Sequence, residues 1–298
     1  MPRGCSIGAG SRTTLVAGLA VLAIAGGASF GRGGTEDAGS AGTWRTLEPG
    51  LEFGEFLSPR TADVGDSRVR ALRIDPARFE LRLLNASAPD QGQPLTARQW
   101  CRRAGLAAAT NASMYQADLR TSVSLMRTRE HVNNPRLTRH MAVLAFDVRD
   151  AAVPPVQIID RECQDFARES AHYGTLVQSI RMISCHGRNV WSPQPKKWST
   201  ALVGTDHQGR VLFIHVRSPY ATHDLIEILL ALPLGLARAM YVEGGPEAQL
   251  YVASGDREFV GSYETGFNEN DDQGVAWPVP NVLGIVPVGS SPAATRPR

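Results

Sequence analysis

Residues Ala239-Met240-Tyr241-Val242-Glu243-Gly244-Gly245-Pro246-Glu247-Ala248-Gln249-Leu250-Tyr251-Val252 form the stretch on which the reading of this chain turns. An apolar run of strand composition stops at a carboxylate, two glycines and a proline. A second carboxylate follows, and alternation of apolar and polar residues then resumes. The pattern predicts a buried strand, a tight turn and another strand. Glycine permits positive φ and close approach by other groups, so Glu243 and Glu247 are carried at the tip of a core strand, where acid–base work is feasible. The bland alternative is a strand-end acid that caps backbone amides, beside an exposed turn Glu. Gly244 and Gly245 present N–H groups suited to a phosphate, or serve the turn's conformation alone.

Outward from this turn, residues 224–232 predict a helix with Leu225, Ile228, Leu229 and Leu232 on one face. Before it, 200–206 and 210–216 flank His207-Gln208-Gly209, a hairpin signal. After the turn, 249–253 and 258–263 read as a hairpin around Ser254-Gly255-Asp256, and 281–286 as a last apolar strand. Nearer the N-terminus, 69–74 and 79–84 alternate with period two and read as a hairpin joined through Asp75-Pro76-Ala77-Arg78, with one wet face. Thr96 and Gln99 make a capping box, so a short helix is expected from Thr96 to Gly105. Further strands are expected at 106–110, 122–127, 141–147, 156–160 and 176–184. The last embeds Gln178 and Arg181, and buried amide and guanidinium groups need partners. The set predicts an α+β fold: one domain over 44–289, built on a mixed, largely antiparallel sheet core with a few packed helices.

The chain has 298 residues, 43% of them hydrophobic and 20% charged, which is enough for a sizeable core. Its formal charge of +2 is accounted for by Arg3 and Arg12, which lie in a leader. No nucleic-acid or anionic-membrane partner is expected. Residues 1–28 have the plan of a secretory signal peptide, with an apolar part too short to span a bilayer. The protein is therefore expected to be exported, periplasmic or extracellular, without stable membrane insertion beyond the leader. A flexible linker is expected over 29–43 and a frayed tail over 290–298.

Outside the leader the cysteines are Cys101, Cys163 and Cys185. Export permits a disulfide, and Cys163 with Cys185 is the preferred pair. No CxxC or Cys/His spacing suggests zinc, and the histidines show no metal-type spacing among themselves. His215, on a central strand, and His223, beside Asp224 at a helix start, fit hydrogen-bonded core or cap residues better than bases.

The ordered set resembles the phosphodiester glycosidase family, as an exported bacterial member. The resemblance covers about 106–286. It rests on a strand ending in Asn with an aromatic close behind (Asn111, Tyr115), on a Gln-Ser-x-x-Met strand (Gln178, Ser179, Met182), on the 201–213 hairpin, and on a helix leading to acid-Gly-Gly (Glu243, Gly244, Gly245). The resemblance implies an exported hydrolase that cleaves a sugar-phosphodiester linkage. Glu243 and Glu247 would be the catalytic acids, and Asn111, Tyr115, Gln178, Arg181, Gly244 and Gly245 would bind substrate. Arg181 would clamp phosphate; its structural alternative is an ion pair with Glu243 or Asp160. Asn111 would orient a sugar hydroxyl, or form an Asx turn. No cofactor is implied and no metal-ligand set is visible, although a divalent cation is compatible with the chemistry. This chain departs from the family where Glu243 replaces the usual Asp and Pro246-Glu247 replace small residues. Ser199-Thr200 stand in place of a basic residue, and Ala112-Ser113 replace a second loop glycine. These departures motivate the alternative: a catalytically inactive envelope protein that binds a carbohydrate or sugar phosphate.

Overall fold

Strands that are covered on both faces have no wet side on which to place polar residues, so they read as nearly continuous apolar runs. The computed structural model, which describes residues 42–89, 91–261 and 276–290, shows this in its longest strands. In chain order the elements are β1 (Trp44–Glu48), β2 (Leu51–Leu57), β3 (Arg68–Ile74), β4 (Phe79–Asn85), α1 (Ala97–Ala104), β5 (Ala108–Asn111), β6 (Met126–Arg127), β7 (Val132–Asn134), β8 (Ala142–Val148) and β9 (Val156–Asp160). Then follow α2 (Phe166–Ser170), β10 (Tyr173–Ile183), β11 (Trp198–Asp206), β12 (Val211–Tyr220), α3 (Thr222–Ala231), β13 (Leu236–Gly244), a 3-10 turn (Gly245–Glu247), β14 (Gln249–Val252), β15 (Arg257–Val260) and β16 (Asn281–Pro287). The expected leader, nearly all of the linker, residues 262–263 of the expected 258–263 strand, and the tail from residue 291 lie outside the described residues.

An eleven-stranded sheet runs in the order β1-β2-β3-β12-β11-β13-β10-β6-β7, with β8 paired to β10 and β9 to β8; a five-stranded sheet runs β15-β14-β5-β16-β4. Every described pairing is antiparallel, so the α+β expectation stands and the parallel component of a mixed sheet does not occur among these residues. The main core lies between the sheets. Ala201, Val203, Val211, Phe213, Met240 and Val242 from the large sheet meet Leu81, Leu83, Leu250 and Leu283 from the small one. The alternate residues Leu202, Leu212, Ile214 and Tyr241 face α3, whose Leu225, Ile226, Ile228 and Leu229 are buried against them. Helix α1 covers the outer face of the small sheet through Ala97 and Cys101, against Ala109 and Tyr251.

Local signals placed α1 well. Thr96 accepts from the Gln99 amide while the Gln99 side chain accepts from the Thr96 amide, and Gly105 closes the helix in the left-handed region. The expected 69–84 hairpin is corrected. Both edges of β3 are taken, by β2 and β12, so β4 cannot pair with it. The turn at Asp75, whose carbonyl accepts from the Arg78 and Phe79 amides, instead carries the chain across to the second sheet, where β4 pairs with β16. Strands β1, β2 and β7 and helix α2 were not expected. Of the 122–127 segment only β6 forms a strand. Cys163 and Cys185 form the expected disulfide, and Cys101 is a buried free thiol. Among the described residues, no helix is long and apolar enough to cross a membrane.

Candidate active site

The two strands nearest the acidic turn are out of step by one residue. Leu202 opposes Tyr241 but Ala201 opposes Glu243, so Val242 is the extra residue of a β-bulge in β13. Directly opposed residues share a face of the sheet. Tyr241 faces the α3 side with Leu202, whereas Ala201 faces the inter-sheet core. The bulge therefore turns Glu243 from the α3 side, where unbroken alternation would put it, toward the side from which β5 and β14 approach.

There the ends of several elements meet. Asn111, the last residue of β5 and fully buried, donates from Nδ2 to the Glu247 carbonyl at 2.8 Å and accepts at Oδ1 from the Gln249 amide at 2.7 Å. Gln249 in turn accepts from the Ala97 amide at 2.9 Å and donates to the Trp277 carbonyl at 2.6 Å. The residue expected to hold a sugar hydroxyl thus spends both ends of its amide on fixing the turn that carries Glu247.

Tyr115 donates its hydroxyl to the Glu247 carboxylate. Burial, then the charges of Glu247 and Glu243, hold its phenol well above the ordinary range. Glu243 has its own Gly244 N–H as hydrogen-bond donor, at 3.1 Å. Its carboxyl is pushed up to about 8, chiefly by burial and further by the charge of Glu247, against the opposing pull of the Gly244 amide. One carboxyl is therefore a neutral acid at pH 7, with a partner one short turn away that accepts a phenolic hydrogen bond. Below them His215 is fully buried and lies 3.3 Å from the Ala248 carbonyl. Burial drives its basicity down to about 3, so it is a neutral core residue, as expected.

The two glycines are needed for different reasons. Gly245 has φ +65° and needs the left-handed region. Gly244 is extended, at φ −141°, and is required sterically: a Cβ there would meet the Tyr241 hydroxyl and come within 2.6 Å of Trp198 Cδ1. Trp198 and Tyr241, with Trp191 6.3 Å from the Tyr241 ring, form an aromatic wall beside the turn. Trp191 and Trp198, single aromatics in a polar segment, gave no sequence signal for it. Substituting Gly244→Ala is expected to cost about 1–3 kcal/mol by overpacking, read as a lowered urea midpoint. An unchanged midpoint would show that the wall yields freely.

Two expected binding residues lie apart. Gln178 is fully buried on β10; its oxygen accepts from the Thr138 and Leu125 amides, and its nitrogen donates to the Thr138 and His140 carbonyls. With its amide fully engaged by backbone, it fastens a loop rather than a substrate. Arg181 donates through Nη1 to both oxygens of Asp160, at 2.7 and 2.9 Å, and pairs through Nη2 with Glu162 at 2.5 Å. The guanidinium thus makes the ion pair with Asp160 that was its structural alternative, with Glu162 as a second acid beside it. A separate cleft of about 530 Å³ lies between β4 and β8, lined by Leu81, Leu83, Phe146 and Val156 among others, and contains none of the expected site residues.

Comparison with known proteins follows the same lines. In solved structures the fold is shared with the catalytic domain of zebrafish N-acetylglucosamine-1-phosphodiester alpha-N-acetylglucosaminidase, auto-inhibited by its pro-peptide, at a TM-score of 0.59 and 14% identity over 82% of this chain and 86% of that one. It is shared also with a hypothetical protein from Synechocystis, at a TM-score of 0.56 and 11% identity over 83% of this chain and 64% of the other. Among curated proteins no sequence matches. The sequence pattern described as phosphodiester glycosidase matches residues 104–286, which takes in β5, the aromatic wall and the whole acidic turn; this chain belongs to the phosphodiester glycosidase family.

Proposed function

We infer that this protein is an exported hydrolase that cleaves the bond between a sugar and a phosphodiester. The observation that carries the reading is the pair of unlike carboxyls on one turn, Glu243 held up to about 8 by burial and Glu247 bound by the Tyr115 hydroxyl. Environments that push two acids apart divide the labour of an acid and a base. Protonated Glu243 donates a hydrogen bond to the phosphodiester oxygen that departs, where an ionised carboxylate would repel it. Ionised Glu247 faces the sugar carbon, stabilises its oxocarbenium-like charge and directs water. Tyr115 fixes that carboxylate, Asn111 fixes the backbone beneath it, and the wall of Trp198, Tyr241 and Trp191 offers a face to a sugar ring. The reading assigns no cofactor. The zebrafish enzyme's name specifies a sugar-1-phosphodiester, which makes that class the substrate to try.

The rival reading, a binding protein without turnover, gains from one observation: Arg181 and the Gly244 amide, two expected anion donors, are already engaged by acids of this chain. Purified protein is assayed for release of free sugar from a sugar-1-phosphodiester, beside a thermal-shift titration with the same compound. Turnover above background supports the hydrolase. Stabilisation without turnover transfers the site to recognition, and neither response removes both readings.

A further inference from the structure

We propose that the Cys163–Cys185 disulfide masks a site for a thiophilic divalent cation, made of the two cysteine thiolates and the His186 imidazole once the disulfide is reduced. Cys163, Cys185 and His186 place one ligand atom each within 4.8 Å of one another, among the described residues, and His186 Nε2 lies 3.8 Å from Cys163 Sγ. Sequence spacing hid the group because Cys163 stands on the turn after β9 while Cys185 and His186 stand on the turn after β10. Two thiolates and one imidazole form a donor set that favours zinc or cadmium over hard cations. Cys163 and His186 are exposed and Cys185 is partly so, which leaves a fourth position open to water.

The disulfide is not what holds the two turns together, and this makes the site usable after reduction. Asp160, almost fully buried, binds both turns itself. Its carbonyl accepts from the Cys163 and Gln164 amides. Its Oδ1 accepts from the Glu162 amide at 3.1 Å and its Oδ2 from the Cys185 amide at 2.8 Å. Arg181 neutralises the same carboxylate from below. Bonded sulfurs lie about 2.05 Å apart, and two thiolates on one tetrahedral ion with bonds of about 2.3 Å stand almost 4 Å apart. Rotation of the exposed Cys163 side chain supplies that difference without moving the backbone.

The opening step is exchange with a dithiol. Its thiolate attacks one sulfur and displaces the other as thiolate; its second thiolate then releases the first. The dithiol loses two electrons and becomes a cyclic disulfide, and the two cysteines gain the electrons and the two protons. A divalent cation then displaces both protons as it binds the two thiolates and the neutral imidazole.

The test uses the full chain, reduced with a dithiol that is exchanged out under nitrogen, and titrated with Cd²⁺ alone. Expected is an ultraviolet thiolate-to-metal charge-transfer band that saturates at one Cd²⁺ per chain. The oxidised protein should show none, and His186→Ala should weaken the affinity at least about tenfold. Zn²⁺ should abolish the band by competition. The Cys163→Ser/Cys185→Ser protein keeps Cys101 and should show no band. A reduced parent without the band overturns the proposal. So does a band that survives in the double-serine protein, or an affinity unaltered by His186→Ala.

Discussion

Replacing Glu243 by Gln lowers turnover of a sugar-1-phosphodiester by about a hundredfold or more, the range of a lost general acid, with a smaller change in KM. The parent loses activity as pH rises through about 8, because only the protonated Glu243 donates to the departing oxygen. The Gln variant's residual rate shows no such limb, since its amide does not titrate. Stability moves with the same proton. The folded carboxyl holds it up to about 8 and the unfolded one only to about 4.5, so the folded state binds more protons between those values. The contribution is complete below about 4.5 and is lost as pH rises through about 8. The parent is thus expected to lose on the order of 4 kcal/mol between pH 5 and 9 that Glu243→Gln does not lose, as seen in urea midpoints. A Gln variant as fast as the parent would remove Glu243 from the chemistry.

Asp160→Ala is expected to be the most damaging single change to the scaffold, at about 3–5 kcal/mol. It strands the Arg181 guanidinium, 13% exposed, with only Glu162 beside it, and it leaves the Cys185 and Glu162 amides without their acceptor. Arg181→Met should cost less, because Asp160 keeps those two amide donors and loses only its counter-charge. Urea unfolding of the two variants with the disulfide intact reads the asymmetry. Equal losses would mean that Asp160 serves Arg181 alone.

Much of this architecture is local in origin and therefore legible. The capping box at Thr96 and Gln99, the left-handed Gly105, the His207-Gln208-Gly209 hairpin and the apolar faces of α3 each encode their own shape within a few residues. The strand of 141–147 shows in its continuous apolar run, and those of 156–160 and 176–184 in apolar runs that embed a few polar residues. The choice of strand partner is not local: nothing within 69–84 says that β12 occupies the edge of β3, so a plausible hairpin turned out to be a crossing between sheets. The site divides in the same way. Glu243, Glu247, Gly244 and Gly245 share one local turn, and folding brings Tyr115, from the loop behind Asn111, beside it. Asn111 adjoins them through the turn, its amide donating to the Glu247 carbonyl and accepting from the Gln249 N–H. Gln178 and Arg181 answer structural needs of their own strand: the sequence offers Asp160 as one partner for Arg181, whereas nothing local names the Thr138 and His140 carbonyls that Gln178 meets. Trp198 and His186 acquire their neighbours only through folding.

The extra residue in β13 gives the acid's location a discrete character. Up to Tyr241 the strand keeps the in-and-out order dictated by its pairing with β11, and one added position inverts that order for whatever follows. Which compartment receives the carboxyl is thus a matter of parity, settled by counting residues. Exchanges of side chain within 243–247 can retune the chemistry without disturbing the count, whereas pairing without the bulge and with every residue kept would set Glu243 opposite Thr200 and deliver the same acid to the layer beneath α3.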